Sequence, residues 1–227
     1  MNCDRWGRKL QQEVFRFWKE NHSDWEHGFK VFYGPVTTSA EILIIGEQPG
    51  GKAASFQPYR ERFESGDFAL PETHEYISTD WRIAEEMRYL FGGNTSPLEE
   101  SVKTNVNFFR APDRDYWKAK LSKERREEME RFCSSRVMDI IDKVEPSVII
   151  AEGIGTWDKI KRLLNLTNGQ PIKRGRERLV VRSESSSPKI IGLMHPSGAR
   201  ISSSDKDRMK THLLDTLAEH TSYTIIQ

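Results

Sequence analysis

Apolar residues gather along this chain in short runs, each closed by a polar turn, with stretches of helical period between them. Ile42–Ile45 are four apolar residues in a row, three of them β-branched, which predicts a strand buried on both faces. It runs into Gly46-Glu47-Gln48-Pro49-Gly50-Gly51. Ser101–Phe109 predicts a second strand leaving through Arg110–Asp113, and Ser147–Ala151 a third leaving through Glu152-Gly153. Leu179–Arg182 is a further strand, and Lys189–Met194 the last, ending in His195-Pro196-Ser197-Gly198-Ala199-Arg200. Helical spacing covers residues 5–21 (Leu10, Val14, Phe17, Trp18) and 122–144 (Phe132, Val137, Ile140, Ile141, Val144). It also covers about 156–164 and 205–220. Thr79 is expected to cap a helix carrying Ile83, Met87, Leu90 and Phe91, stopped by Gly92-Gly93. Residues 29–36 predict a short extended segment. Residues 52–78 have no clear period and predict a long loop carrying Phe56, Tyr59, Arg60, Arg62, Phe63 and Phe68.

Strands alternating with helices imply α/β: three layers, α/β/α, around a central, mainly parallel four-stranded sheet. Right-handed crossovers bring the strand C-termini to one edge, where open α/β sheets keep their sites. Glu47, Gln48, Asn105, Asn107, Arg110, Glu152, His195, Ser197 and Arg200, scattered in sequence, should then be neighbours.

Composition narrows the class. The 227 residues suit a single domain, 1–227, and 36% hydrophobic with 30% charged residues describe a globular chain. The formal net charge is +1, so only local clustering bears on nucleic acid. Two cysteines, Cys3 and Cys133, disfavour a disulfide scaffold, a cysteine-ligated zinc site and a four-cysteine iron–sulfur cluster. The charged N-terminal stretch lacks an apolar signal region, and no apolar run is long enough to span a bilayer. The expected compartment is therefore the cytoplasm, or the nucleus in a eukaryote, with no membrane partner. No coiled-coil heptad asks for a dimer, so a monomer is expected.

The expected rim has no metal set and needs no cofactor: one histidine with scattered glutamates lacks zinc spacing. Ser197 follows His195, but there is no G-x-S-x-G elbow. Gly46–Gly51–Lys52 approaches a Walker loop, with Ala53 where the hydroxyl residue belongs. That near miss leaves an α/β enzyme binding nucleotide or phosphate as an alternative.

Three motifs carry a resemblance. GEQPGG after the first strand, TNVNFFRAP at the second and HPSGAR after the last resemble, in order and spacing, the motif set of the uracil-DNA glycosylase superfamily. The first is similar to the GEAPG form of the iron–sulfur branch, the second to that branch's TNVVKCRPP. The third resembles the HPS motif, with a GAR tail like the mismatch-specific branch. The resemblance implies an enzyme that flips uracil or a related deaminated base out of DNA and hydrolyses its N-glycosidic bond, in base-excision repair of DNA damage. It implies that Asn105, or alternatively Asn107, reads the base edge, because an amide both donates and accepts. His195 would stabilise charge developing on the departing base. Phe56, with Phe63 second, would stack on the base, while Pro49 and Gly50 shape the pocket. Ser197, Gly198 and Arg200 would contact DNA, Arg200 as a wedge in the gap left by the base, and Arg110 and Lys206 would sit against the strand. Eight basic residues between Lys159 and Arg182, and the trio Lys206, Arg208 and Lys210, are candidate phosphate contacts.

Two departures qualify the likeness. Gln48 stands where most branches keep Asp or Asn to orient water, which leaves Glu47 as the loop's carboxylate. The cluster cysteines are missing. A glycosylase fold that binds DNA or a nucleobase without cleaving it is therefore a second expectation.

Overall fold

The computed structural model describes residues 3–167, 169–184, 187–197 and 201–223. Helix α1 is Asp4–Asn21, and strand β1, Ile42–Gly46, is buried throughout. A single 3-10 turn at Ala53–Ser55 leads into α2 (Gln57–Glu64), followed by α3 (Glu75–Ser78), α4 (Arg82–Leu90) and α5 (Ser96–Glu99). Then come β2 (Val102–Asn105), α6 (Arg114–Lys120), α7 (Lys123–Val144), β3 (Val148–Glu152) and α8 (Ile154–Leu163). The chain closes with β4 (Ile172–Arg174), β5 (Glu177–Arg182), β6 (Lys189–Leu193) and α9 (Ser203–His220).

The six strands form one mixed sheet in the order β2-β1-β3-β6-β5-β4. Strands β2, β1, β3 and β6 are parallel, while β5 and β4 continue the sheet antiparallel. The expectation of a mainly parallel four-stranded sheet thus describes two thirds of it. The connection 183–188 is too short for a crossover, which takes a dozen residues or more, so β5 must pair antiparallel to β6. Strand β4 escaped notice because three residues, Ile172-Lys173-Arg174, carry no period; it hairpins onto β5 through Gly175, whose φ is +57°.

Alternate side chains of the central strands feed two apolar layers. Leu43, Ile45, Ile149, Ala151 and Ile190 pack against Leu10, Val14 and Trp18 of α1, Met129, Val137 and Ile140 of α7, and Trp157 of α8. Ile42, Ile44, Val148, Ile150 and Ile191 face Tyr76, Met87 of α4, Leu98, and Met209 and Leu213 of α9. Helices therefore cover both faces. Each fully buried aliphatic side chain contributes about 1.5–3 kcal/mol.

Three local expectations change. Residues 52–78 are not one loop but hold the 3-10 turn, α2 and α3; Pro58 sits in the first turn of α2, where a missing N–H is harmless. Thr79 closes α3 rather than opening α4, donating Oγ1–H to the Glu75 carbonyl at 2.7 Å. The 29–36 segment forms one bridge, Phe29 with Phe109, and its backbone shields the outer edge of β2, with Tyr33 N donating to Lys103 O at 3.2 Å.

His74 joins the start of α3 to Ser101, the residue before β2. Its Nδ1 accepts from Tyr76 N at 3.2 Å at the start of α3, and its Nε2 meets Ser101 Oγ at 3.3 Å. Burial, with the charge of Lys103, lowers its pKa to about 4. The unfolded state binds this proton near pH 6.5, so the stability tied to neutral His74 is present above that pH and is lost as pH falls through 4. Urea melts at pH 7 and pH 4 should show the native protein losing up to about 3 kcal/mol more than His74→Asn, which keeps a capping acceptor. Parallel losses in the two proteins would refute this role.

Candidate active site

The C-terminal ends of β1, β2, β3 and β6 open onto one cleft of about 800 Å³. Its lining includes the whole Gly46–Gly51 loop together with Asn105, Arg110, Glu152, His195 and Ser197. The convergence expected of a parallel sheet therefore occurs. The loop is lashed to the segment after β2: Val106 N donates to Gly46 O at 2.8 Å, Asn107 N to Glu47 O at 3.0 Å and Ala111 N to Pro49 O at 3.1 Å. Arg110 Nε donates to Gly50 O at 3.2 Å and its Nη2 to Ser55 Oγ at 2.7 Å, while His27 Nδ1 meets Gly51 O at 3.1 Å. Gly51, at φ +136°, leaves no room for a side chain, because a Cβ there would lie 2.0 Å from Arg110 Nη2. Arg110 is thus buried and occupied in holding the loop, a different task from the DNA contact expected of it.

The floor is polar and charged. Lys103 is 1% exposed, and all three of its N–H groups have acceptors: Thr104 O at 2.6 Å, Asn105 Oδ1 at 3.2 Å and Glu152 Oε2 at 3.0 Å. Burial lowers the lysine's pKa and the Glu152 charge opposes that shift; the three oxygens gathered around Nζ suit an ammonium. Asn105 Nδ2 donates to Tyr33 Oη at 2.9 Å. Glu152 is 3% exposed, and its Oε1 has no hydrogen-bond partner. Burial raises the pKa of both Tyr33 and Tyr76 beside it, the Glu152 charge adding to the shift in each. Gly46 makes this cluster possible. A Cβ on it would lie 2.3 Å from Asn105 Oδ1, 2.8 Å from Lys103 Nζ and 2.9 Å from Glu152 Oε2.

The aromatic residues of the cleft are Tyr33, Tyr59, Tyr76 and Trp81. Trp81 is 43% exposed, and Lys30 Nζ lies 5.3 Å from its ring and 4.5 Å from that of Tyr33 while paired with Glu75 at 2.5 Å. Phe56 and Phe63, expected to stack on a base, are core residues instead. Phe56 packs edge-on to Trp18 at 5.3 Å, and Phe63 stacks on Phe29 at 5.4 Å. The helix 57–64 turns both rings away from the cleft. Trp81 could have been noticed in sequence, since it lies off the apolar face shared by Met87 and Leu90.

Asn107 is also misplaced by simple alternation. The strand ends at Asn105, and Asn107 turns to the opposite side, where its Oδ1 accepts from Phe109 N at 3.1 Å and from Cys133 Sγ at 3.6 Å. Of the two amides, Asn105 lines the cleft.

Glu47 is half-buried between Lys159 Nζ at 3.2 Å and Arg114 Nη1 at 3.8 Å. Gln48 donates Nε2–H to Phe109 O at 2.9 Å, which ties its amide to the loop opposite. Pro49 and Gly50 lie on the cleft wall. His195 is exposed beside Gly153, and its Nδ1 is 3.5 Å from Ser197 Oγ. Gly198 and Arg200 lie outside the described residues. Lys206, outside the cleft, pairs with Glu86 at 2.5 Å, and Arg208 pairs with Asp205 at 3.1 Å. In the basic stretch, Arg178 forks onto Asp158 at 2.9 and 2.6 Å, Arg174 meets Glu177, and Arg182 donates to His212 O. Arg174, Arg178 and Arg182 therefore have partners within the chain, while Lys173 and Arg176 of the same stretch are exposed. Among the described residues no three His, Cys, Asp or Glu side chains gather as a metal set, and no helix is long and apolar enough to cross a membrane.

Compared with known proteins, the chain matches no protein-family model and no curated protein.

Removing one partner of the floor pair leaves the other buried and uncompensated. Lys103→Met should lower stability by about 3–5 kcal/mol in urea melts, and Lys103→Met/Glu152→Gln should recover most of it. Gly46→Ala should cost about 1–3 kcal/mol by overpacking. Additive losses from the two floor changes would refute the pairing.

Proposed function

We propose that the protein is a DNA glycosylase that holds uracil or a related deaminated base flipped into this cleft and hydrolyses its N-glycosidic bond. The observation that carries this reading is the meeting of the Gly46–Gly51 loop, Asn105 and His195 in one aromatic-walled cleft of about 800 Å³. The order of GEQPGG, TNVNFFRAP and HPS along three parallel strands supports a uracil-DNA glycosylase-like arrangement. A nucleobase inside a duplex is out of reach of any such cleft, so the base must leave the stack.

The chemistry follows from where charge develops. As the C1′–N bond breaks, its electron pair moves onto the base, and an imidazole N–H of His195 against the base oxygen stabilises that charge. The sugar becomes oxocarbenium-like, and the Glu47 carboxylate lies on the same rim to stabilise it and to take a proton from the attacking water. Trp81 or Tyr59 supplies a stacking face in place of Phe56 and Phe63. The partner is DNA carrying the deaminated base, met by a monomer in the cytoplasm or nucleus. A reducing compartment suits Cys133, whose thiol burial pushes up to about 12.

One observation favours a second reading, a base-binding protein without cleavage. The Gln48 amide is bonded to Phe109 O, and Glu47 is already paired with two cations. Oligonucleotides carrying uracil, hypoxanthine or xanthine, single- and double-stranded, should acquire alkali-labile cuts on incubation with the protein. His195→Ala should slow cutting by about 10²–10³-fold, as loss of an oxyanion donor does. Trp81→Ala should weaken binding of the damaged strand more than it slows the cut. DNA binding with no cut on any substrate would establish the second reading instead.

A further inference from the structure

An amide reads a base edge only if its orientation is fixed, and here the fixing is done by Lys103. An ammonium donates and never accepts, so Asn105 must present Oδ1 to it and Nδ2 to the cleft side. One Nδ2 hydrogen goes to Tyr33, and the other is left for a ligand. Asn105 therefore has a donor to spare and an oxygen already partly engaged. A lone Asn that reads an N–H beside a C=O needs its oxygen for the N–H, and here one lone pair of that oxygen is engaged by Lys103 while the oxygen itself lies against Gly46.

Glu152 supplies what Asn105 has lost. Its Oε2 is held by the same Lys103 ammonium, the Tyr76 hydroxyl leans on the same carboxylate, and its Oε1 is a buried acceptor that makes no full hydrogen bond, on a residue lining the same cleft. Both side chains come within 3 Å of the Cβ position at Gly46, so they are immediate neighbours. A buried carboxylate oxygen with no donor is costly unless a ligand brings one.

We propose that Glu152, clamped by Lys103, accepts the ligand's N–H while the free N–H of Asn105 donates to the adjoining carbonyl, so that the pair selects a lactam edge. This rests on the glycosylase reading of the cleft and deepens it. Uracil, hypoxanthine and xanthine all present N–H beside C=O. Cytosine and adenine present the mirror pattern, a ring nitrogen lone pair beside an amine. Against them Glu152 Oε1 would face a lone pair and Asn105 N–H would face another N–H. Rejection of the undeaminated base is thus built from two mismatches, which hydrogen-bonding sites punish far more than a lost apolar contact.

The test uses free bases on the full chain, with binding followed by tryptophan fluorescence, beside cutting of a uracil-bearing strand. 1-Methyluracil, whose methyl group stands where the sugar would be, and uracil should bind. 1,3-Dimethyluracil, which has lost the N3–H and has no N1–H to offer instead, and 1-methylcytosine should bind at least tenfold more weakly. In Glu152→Gln, Lys103 should hold the new carbonyl and turn its N–H to the ligand, bringing 1-methylcytosine and 1-methyluracil to within threefold of each other. Should that variant not fold, Lys103→Met/Glu152→Gln leaves no buried charge and frees both amides. It should show the same collapse of preference. Equal binding of 1-methyluracil and 1,3-dimethyluracil by the native protein, or a native preference kept by the folded variants, overturns the inference. If the uracil strand is still cut in that case, the glycosylase reading stands alone. If no base binds and no strand is cut, both fall.

Discussion

Lys103 carries its ammonium into a place that excludes water, and each of its three N–H groups has found an oxygen there. Moving two ions out of water costs several kcal/mol each, so the Lys103–Glu152 pair is poor evidence of added stability. Its consequence is geometric. An ammonium accepts nothing, so every amide and carboxylate around it is turned oxygen-first toward it. Asn105 and Glu152 are locked in that way, and Tyr33 is positioned in turn by Asn105. Gly46 is the residue that lets this happen, because any side chain at the end of β1 would occupy the place where the three groups meet.

The same device recurs along the cleft wall. Arg110 is buried and spends its guanidinium on Gly50 O and Ser55 Oγ. Lys30 is pinned by Glu75 beneath the rings of Tyr33 and Trp81. Together with the backbone bonds that fasten Gly46, Glu47 and Pro49 to the segment after β2, these fixed cations make a preorganised polar floor under an aromatic wall. Dipoles and charges already aimed need no reorganisation when a ligand arrives, which is what such a site has to offer chemistry.

The central strands were legible because burial on both faces demands an unbroken apolar run, and Ile42–Ile45, Val148–Ala151 and Lys189–Leu193 have one or nearly one. The long helices were legible from their period, and α7 begins where Ser122 caps it. The hairpin of β4 was not, since three residues between Pro171 and Gly175 show neither alternation nor run. Aromatic residues were the harder case. Phe56 and Phe63 stood in a stretch without clear period, and only the turn of α2 sends them into the core while Tyr59 and Trp81 take the cleft.

The sequence by itself determined an α/β chain whose loops after Gly46, Asn105 and Leu193 meet at one edge, because parallel strands joined by right-handed crossovers leave no other outcome. Tertiary structure alone decided what those loops present. Hydrophobic period places apolar side chains, but it is silent on the orientation of a buried polar one, which depends on partners far away in the chain. Lys103 and Glu152 lie 49 residues apart. Neither is remarked by any motif, and only the pairing of β1 with both their strands brings the ammonium to the carboxylate.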